Sequence, residues 1–163
     1  MVIRPARPSE AAELGALALR SKAHWGYDAE FIEACRVELT LDPDVLAAGR
    51  ATVVEADGRV LGFITLTGAP PEGELDMLFV EPEAIGRGIG RQLMEHLRAQ
   101  APALGFRRLT IAADPHAEPF YLAMGAVRIG TIPSGSIPGR ELPLMALDFA
   151  PAEAPHPAAT TKA

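Results

Sequence analysis

The apolar positions of this chain fall into two periods. Val2 to Arg4 is short and β-branched and predicts a first strand. From Pro8 or Ser9 the period changes to that of a helix, with Leu14, Leu17 and Ala18 on one face. That helix ends around His24-Trp25-Gly26-Tyr27, and Asp28 is placed to cap a second one carrying Phe31, Ile32 and Cys35. Leu41 to Gly49 reads as a turn or short helix. Ala51 to Ala56 and Val60 to Thr67 then read as strands joined by Asp57-Gly58, a type I′ hairpin pair. Gly68 to Gly73, with two prolines, predicts a loop, and Glu74 to Val80 a further strand. Ile89, Leu93 and Leu97 repeat every four residues and predict a helix over Gly88 to Ala101.

Leu109 to Ala113 predicts another strand. Asp114-Pro115 predicts the start of a helix with Ala117, Phe120, Tyr121 and Met124 on one face, closed by Gly125. Val127 to Ile132 and Leu142 to Phe149 are the last predicted strands. Pro- and Ala-rich residues 150–163 lack periodicity and predict a disordered tail. The order of elements implies one α/β domain over residues 1–149, with a mixed, partly antiparallel sheet flanked by helices.

Composition narrows the function classes. A net charge of −6 disfavours a nucleic-acid partner and suits a cationic substrate. The single cysteine, Cys35, excludes an internal disulfide framework or a cysteine-based metal site, and its helical context predicts a packed thiol. The four histidines show no helical pair for a metal, so none is expected. No apolar signal core or membrane-length segment occurs, so a cytoplasmic protein with no membrane partner is the expectation.

The most informative run is LFVEPEAIGRGIGRQL, Leu78 to Leu93. A strand leads through Gly86, Gly88 and Gly90 into a helix start, where amides without an internal acceptor and the helix dipole favour an anion. Which phosphate ligand it holds is decided by spacing. No Gly-Lys-Ser/Thr follows, as a Walker loop requires. Arg91 and Leu93 occupy the places where a dinucleotide fingerprint needs its third glycine.

The run instead resembles the acyl-CoA pyrophosphate loop of the GCN5-related N-acetyltransferase (GNAT) family. Val80-Glu81-Pro82 followed by Gly88-Ile89-Gly90 matches that loop's register, with Ile85 where Gln or Arg is usual. A second motif resembles the family's later one: in HAEPFYLAMGA, Ala117, Phe120, Tyr121 and Gly125 fit, while His116 replaces an Asn. The order of strands and helices from Val2 to Phe149 is also similar.

This resemblance implies a splayed strand pair holding acyl-CoA, with acetyl-CoA as co-substrate. The backbone of Leu78, Phe79 and Val80 would bond the pantetheine arm and polarise the thioester carbonyl. Amides of Gly86, Arg87, Gly88, Ile89 and Gly90 would hold the pyrophosphate, with charge from Arg87 and Arg91. His116 and Phe120 would flank the cofactor, though Phe120 reads equally as packing. Tyr121 falls at the position of the family's general acid, and Glu74 or Asp76 would serve as base. His24, Trp25 and Tyr27 fall in the family's acceptor region, where Trp25 reads equally as a core plug. The loop from Pro133 to Arg140, through Ser134 or Ser136, would close over the amine. The implied activity is acetyl transfer to a primary amine of a small molecule or peptide by direct attack in a ternary complex. A non-catalytic acyl-CoA sensor on the same scaffold is the alternative. Pairing of the C-terminal strands into a homodimer stays open.

Overall fold

The computed structural model describes residues 1–150, so most of the predicted tail lies outside the described residues. Seven strands form one sheet in the order β1 (Val2–Pro5), β2 (Ala51–Ala56), β3 (Arg59–Ala69), β4 (Glu72–Val80), β5 (Arg108–Ala112), β7 (Glu141–Asp148) and β6 (Val127–Pro133). Every neighbouring pair is antiparallel except β4 and β5. This is the mixed α/β sheet that the pattern predicted.

Helices cover both faces. α1 (Ala11–Ala23) and α2 (Ala29–Cys35) pack Leu14, Leu17, Ala18 and Cys35 against Val53, Phe63 and Met77. α3 (Pro43–Ala47) adds Leu46 beside them. On the opposite face α4 (Ile89–Ala103) and α5 (Glu118–Ala123) bury Leu93, Met94, Leu97 and Tyr121 against Ile64, Leu66, Leu109 and Ile111. Asp28 caps α2 as expected, its carboxylate accepting from the Phe31 amide at 2.8 Å. Gly62 lets α4 approach the sheet, since a Cβ there would lie 2.9 Å from the Ile89 side chain.

Two boundaries differ from expectation. The predicted Gly68–Gly73 loop is a tight hairpin whose strands pair Gly68 with Gly73 and Ala69 with Glu72, leaving Pro70-Pro71 as the turn. Cross-strand pairing outweighs the local signal of the prolines, which occupy positions where no ladder donor is needed. α5 begins at Glu118 instead of Asp114. The Asp114 carboxylate accepts from the His116 amide at 2.8 Å, folding an Asx turn ahead of the helix.

One irregularity re-aims the side chains of β4. The β3–β4 register shifts between Thr65 and Leu66: Leu66 faces Leu75 and Thr65 faces Met77, so Asp76 is an extra, bulged residue. Thr65 Oγ1 accepts from the Met77 amide at 3.0 Å across the irregularity. The bulge switches faces, so that Leu75 packs with α4 while Met77 packs with α1. Leu78 and Val80 then return to the α4 side, and Phe79 to the α1 side, tilted on Phe63 at 6.0 Å.

Candidate active site

β4 and β5 pair over only Glu72–Arg108, Gly73–Leu109 and Glu74–Thr110. Beyond these residues β4 pairs with β3 alone and β5 with β7 alone. The divergence begins at the Asp76 bulge and leaves one backbone edge of Leu75 to Val80 without a strand partner. Peptide groups on such an edge take ligand or water as partners.

The edge leads directly into the glycine turn. Glu81 anchors the junction: its amide donates to the Leu61 carbonyl at 2.7 Å, and Arg20 of α1 donates to both its carboxylate oxygens at 2.8 and 2.9 Å. Arg20 holds this buried carboxyl below its usual range despite the opposing effect of burial. Gly86 and Gly88 adopt φ of +86° and +81°, a left-handed geometry that favours glycine. The Gln92 amide is the first to find a helical acceptor, on the Gly88 carbonyl at 3.1 Å. The amides of Ile89, Gly90 and Arg91 therefore lie in the acceptor-free first turn of a 15-residue helix. The Arg87 amide instead bonds the Ala84 carbonyl at 3.3 Å, while its side chain is exposed. Ile89 contributes backbone alone, because its side chain is buried.

Tyr121 and Phe120 approach this wall from α5. A Cβ at Gly90 would lie 3.3 Å from the Phe120 ring, so that glycine admits the aromatic beside the helix start. Tyr121 is buried, edge-on to Phe120 at 5.4 Å. Burial, then the nearby Asp114 charge, pushes its hydroxyl well above the usual phenol range, so it stays protonated. Among the described residues, the only sealed side-chain polar atom without a partner is Arg50 Nη1, so the Tyr121 hydroxyl is not sealed off without one. A groove of about 300 Å³ runs between α4 and α5, lined by Arg91, Arg98 and Gly125 among others.

The other side of the gap is acidic. Desolvation, then Glu74 and Glu38, raises the Asp76 carboxyl above its ordinary value. No cation contributes to that shift. Ser136 donates its hydroxyl to Glu38 at 2.5 Å, which pins the loop between β6 and β7 to the segment after α2. Ser134 has a different place: its hydroxyl accepts the amides of Ser136 and Ile137 at 3.2 and 3.1 Å and shapes the loop from within.

His24, Trp25 and Tyr27 gather with His116 at the rim. Trp25 is exposed and stacks on the His116 ring at 5.3 Å, with His24 edge-on to Trp25 at 5.3 Å. Trp25 is thus a surface ring and not a core plug. Tyr27 bonds Asp114, which also accepts from Lys22 at 3.1 Å. Burial raises the Asp114 carboxyl, but the His116 amide, Lys22 and Tyr27 outweigh it and hold it at about 2. Sequence reasoning missed Asp114 and Glu81 as site-forming groups. Asp114 had the signal of a cap, and its long-range partners had no local signature.

Residues 17–126 match the model of the acetyltransferase (GNAT) family. The chain is similar to the peptidyl-lysine N-acetyltransferase YiaC of Escherichia coli, 36% identical over 107 residues, covering 63% of this chain and 68% of that protein. It is also 36% identical over 78 residues to the amino-acid acetyltransferase of Ralstonia nicotianae, covering 47% of this chain but spanning only 17% of that longer protein. Among solved structures it is similar to a GCN5-related N-acetyltransferase (aminotransferase, class II) from Rhodopseudomonas palustris, with a TM-score of 0.73, 28% identity and coverage of 91% and 95% of the two chains. The PaiA N-acetyltransferase of Thermoplasma acidophilum, solved with coenzyme A, shares the fold at a TM-score of 0.73 and 20% identity, over 91% of this chain and 98% of that one.

Proposed function

The chain belongs to the acetyltransferase (GNAT) family, and from that premise we propose that it transfers an acetyl group from acetyl-CoA to a primary amine of a small molecule or peptide, by direct attack in a ternary complex. The observation that carries this reading is the unpaired edge of β4 running from the Asp76 bulge into the glycine turn. Such an edge offers peptide groups to a pantetheine arm, and the helix start offers amides to its pyrophosphate.

The residues fit an acyl-CoA. Backbone groups of Leu78, Phe79 and Val80 bond the arm, and one amide polarises the thioester carbonyl. Amides of Gly86, Gly88, Ile89, Gly90 and Arg91 hold the pyrophosphate. Arg91 and Arg98 supply positive charge to the groove beside α4, offset in part by Glu95, and Arg87 stands exposed at the glycine turn. Asp76, with Glu74 beside it, takes the proton from the ammonium form of the acceptor, directly or through water. A carboxyl raised by desolvation and like charge is a better base than an ordinary one. The amine nitrogen then bonds the carbonyl carbon, the carbon–sulfur bond breaks as the departing thiolate takes the Tyr121 proton, and the second proton lost from the nitrogen restores the Tyr121 hydroxyl through solvent. His24, Trp25, Tyr27, His116 and Ser134 border the acceptor entrance. The chemistry uses no metal.

The test is free-thiol release from acetyl-CoA across a panel of amines, with Tyr121→Phe in parallel. Turnover with at least one amine, lost in the variant, is the expected result. Thermal stabilisation by coenzyme A without turnover for any amine would instead make this a non-catalytic acyl-CoA sensor.

A further inference from the structure

A side-chain network at the rim takes no part in the proposed chemical step. Tyr27, at the junction of α1 and α2, is its hub. Burial and the bond to Asp114 push the Tyr27 hydroxyl up to about 12, so it remains a donor. It donates to the Asp114 carboxylate at 3.0 Å and accepts from Arg140 Nη2 at 2.8 Å. His116 Nδ1 lies 3.1 Å away. The ring stacks on Phe31 at 4.0 Å, and the Arg140 guanidinium lies over both rings at 5.2 and 4.9 Å.

The partners belong to segments far apart in the chain. Asp114 follows the end of β5, the strand whose departure from β4 opens the gap. Arg140 closes the loop between β6 and β7, where its carbonyl accepts the Ser134 amide at 2.7 Å. The far part of that loop is held by the Ser136–Glu38 bond, beside the acidic group at the bulge. The Tyr27 hydroxyl therefore connects the segment between β5 and α5 with the base of the loop between β6 and β7, alongside a direct Asp114–Arg140 ion pair at 3.6 Å.

We propose that Tyr27 is a positioning residue: its hydroxyl, joining Asp114 to Arg140, latches residues 134–140 over the acceptor side of the cleft and thereby sets affinity for the amine. The kinetic part rests on the acyltransferase reading above; the latch itself does not.

Tyr27→Phe isolates the hydroxyl, because the phenyl ring keeps the stack on Phe31. Amide hydrogen exchange at Ser134 and Arg140 should accelerate about tenfold, with the melting temperature close to that of the parent protein. KM for the amine should rise about tenfold, while kcat and KM for acetyl-CoA stay within about twofold. Arg140→Ala should reproduce this, Arg140→Lys should restore part of it, and the Tyr27→Phe/Arg140→Ala double variant should be no worse than the more affected single one. Unchanged exchange at Ser134 and Arg140, equal rises in both KM values, or additive effects of the two substitutions would each overturn the latch. If the parent protein released no thiol with any amine, the acyltransferase reading would fail, and the exchange rates alone would then uphold or overturn the latch.

Discussion

The two walls of the cleft are built by opposite means. The wall from Leu78 through the glycine turn into α4 is contiguous in sequence and offers backbone: an unpaired strand edge, two left-handed glycines and a helix start. The facing wall is made of side chains brought from distant places, as in the Tyr27–Arg140 bond, which joins residues 113 apart. Backbone recognition needs only the right φ and an open edge, so a short sequence can encode it. Side-chain recognition needs several segments to be docked first. The backbone wall therefore depends on one short stretch of sequence, and the side-chain wall on contacts among several distant segments.

That contrast can be broken experimentally. The largest effect is expected at Tyr121, the proposed proton donor: Tyr121→Phe should lower kcat about a hundredfold while stabilisation by coenzyme A is retained, read by thiol release and thermal shift. Next comes Asp114, the centre of the side-chain wall. Its folded-state carboxyl is depressed to about 2, so its stabilisation is complete above the ordinary carboxylate range and is lost as pH falls from about 4 to 2. Asp114→Asn should thus cost about 2 kcal/mol at pH 6 and almost nothing at pH 2, as measured by urea unfolding at both values. A difference that did not shrink in acid would remove the electrostatic account of this hub.

Gly88→Val tests the backbone wall alone. A Cβ there meets no protein atom within 4 Å, so within the protein its cost is the strain of holding φ at +81°. KM for acetyl-CoA should rise about tenfold with KM for the amine unchanged. Equal changes in both would mean that the two walls are not separable. The smallest effect belongs to Arg87→Ala, an exposed charge: KM for acetyl-CoA should rise about threefold at low ionic strength and return to the parent value in high salt.

The elements were legible where one residue's neighbours in sequence are its neighbours in space. Asp28 capped its helix, Asp57-Gly58 turned its hairpin, and the fourfold spacing of Ile89, Leu93 and Leu97 became the buried face of α4. The misses have one cause. Strand pairing closed the Gly68–Gly73 segment over the prolines, and Asp114 was claimed by Lys22 and Tyr27 as well as by its own turn. Neither competition is visible in a window of ten residues.

By itself, the sequence determined the sheet-and-helix order and the glycine turn, because periodicity and glycine φ preferences act over a few residues, and the resemblance of its two motifs pointed to the family. Only the tertiary structure decided where β4 leaves β5, that Asp76 is the extra residue at that point, and which charges meet at Tyr27. Those features depend on register and on contacts between segments about a hundred residues apart, and such contacts exist only once the sheet has closed.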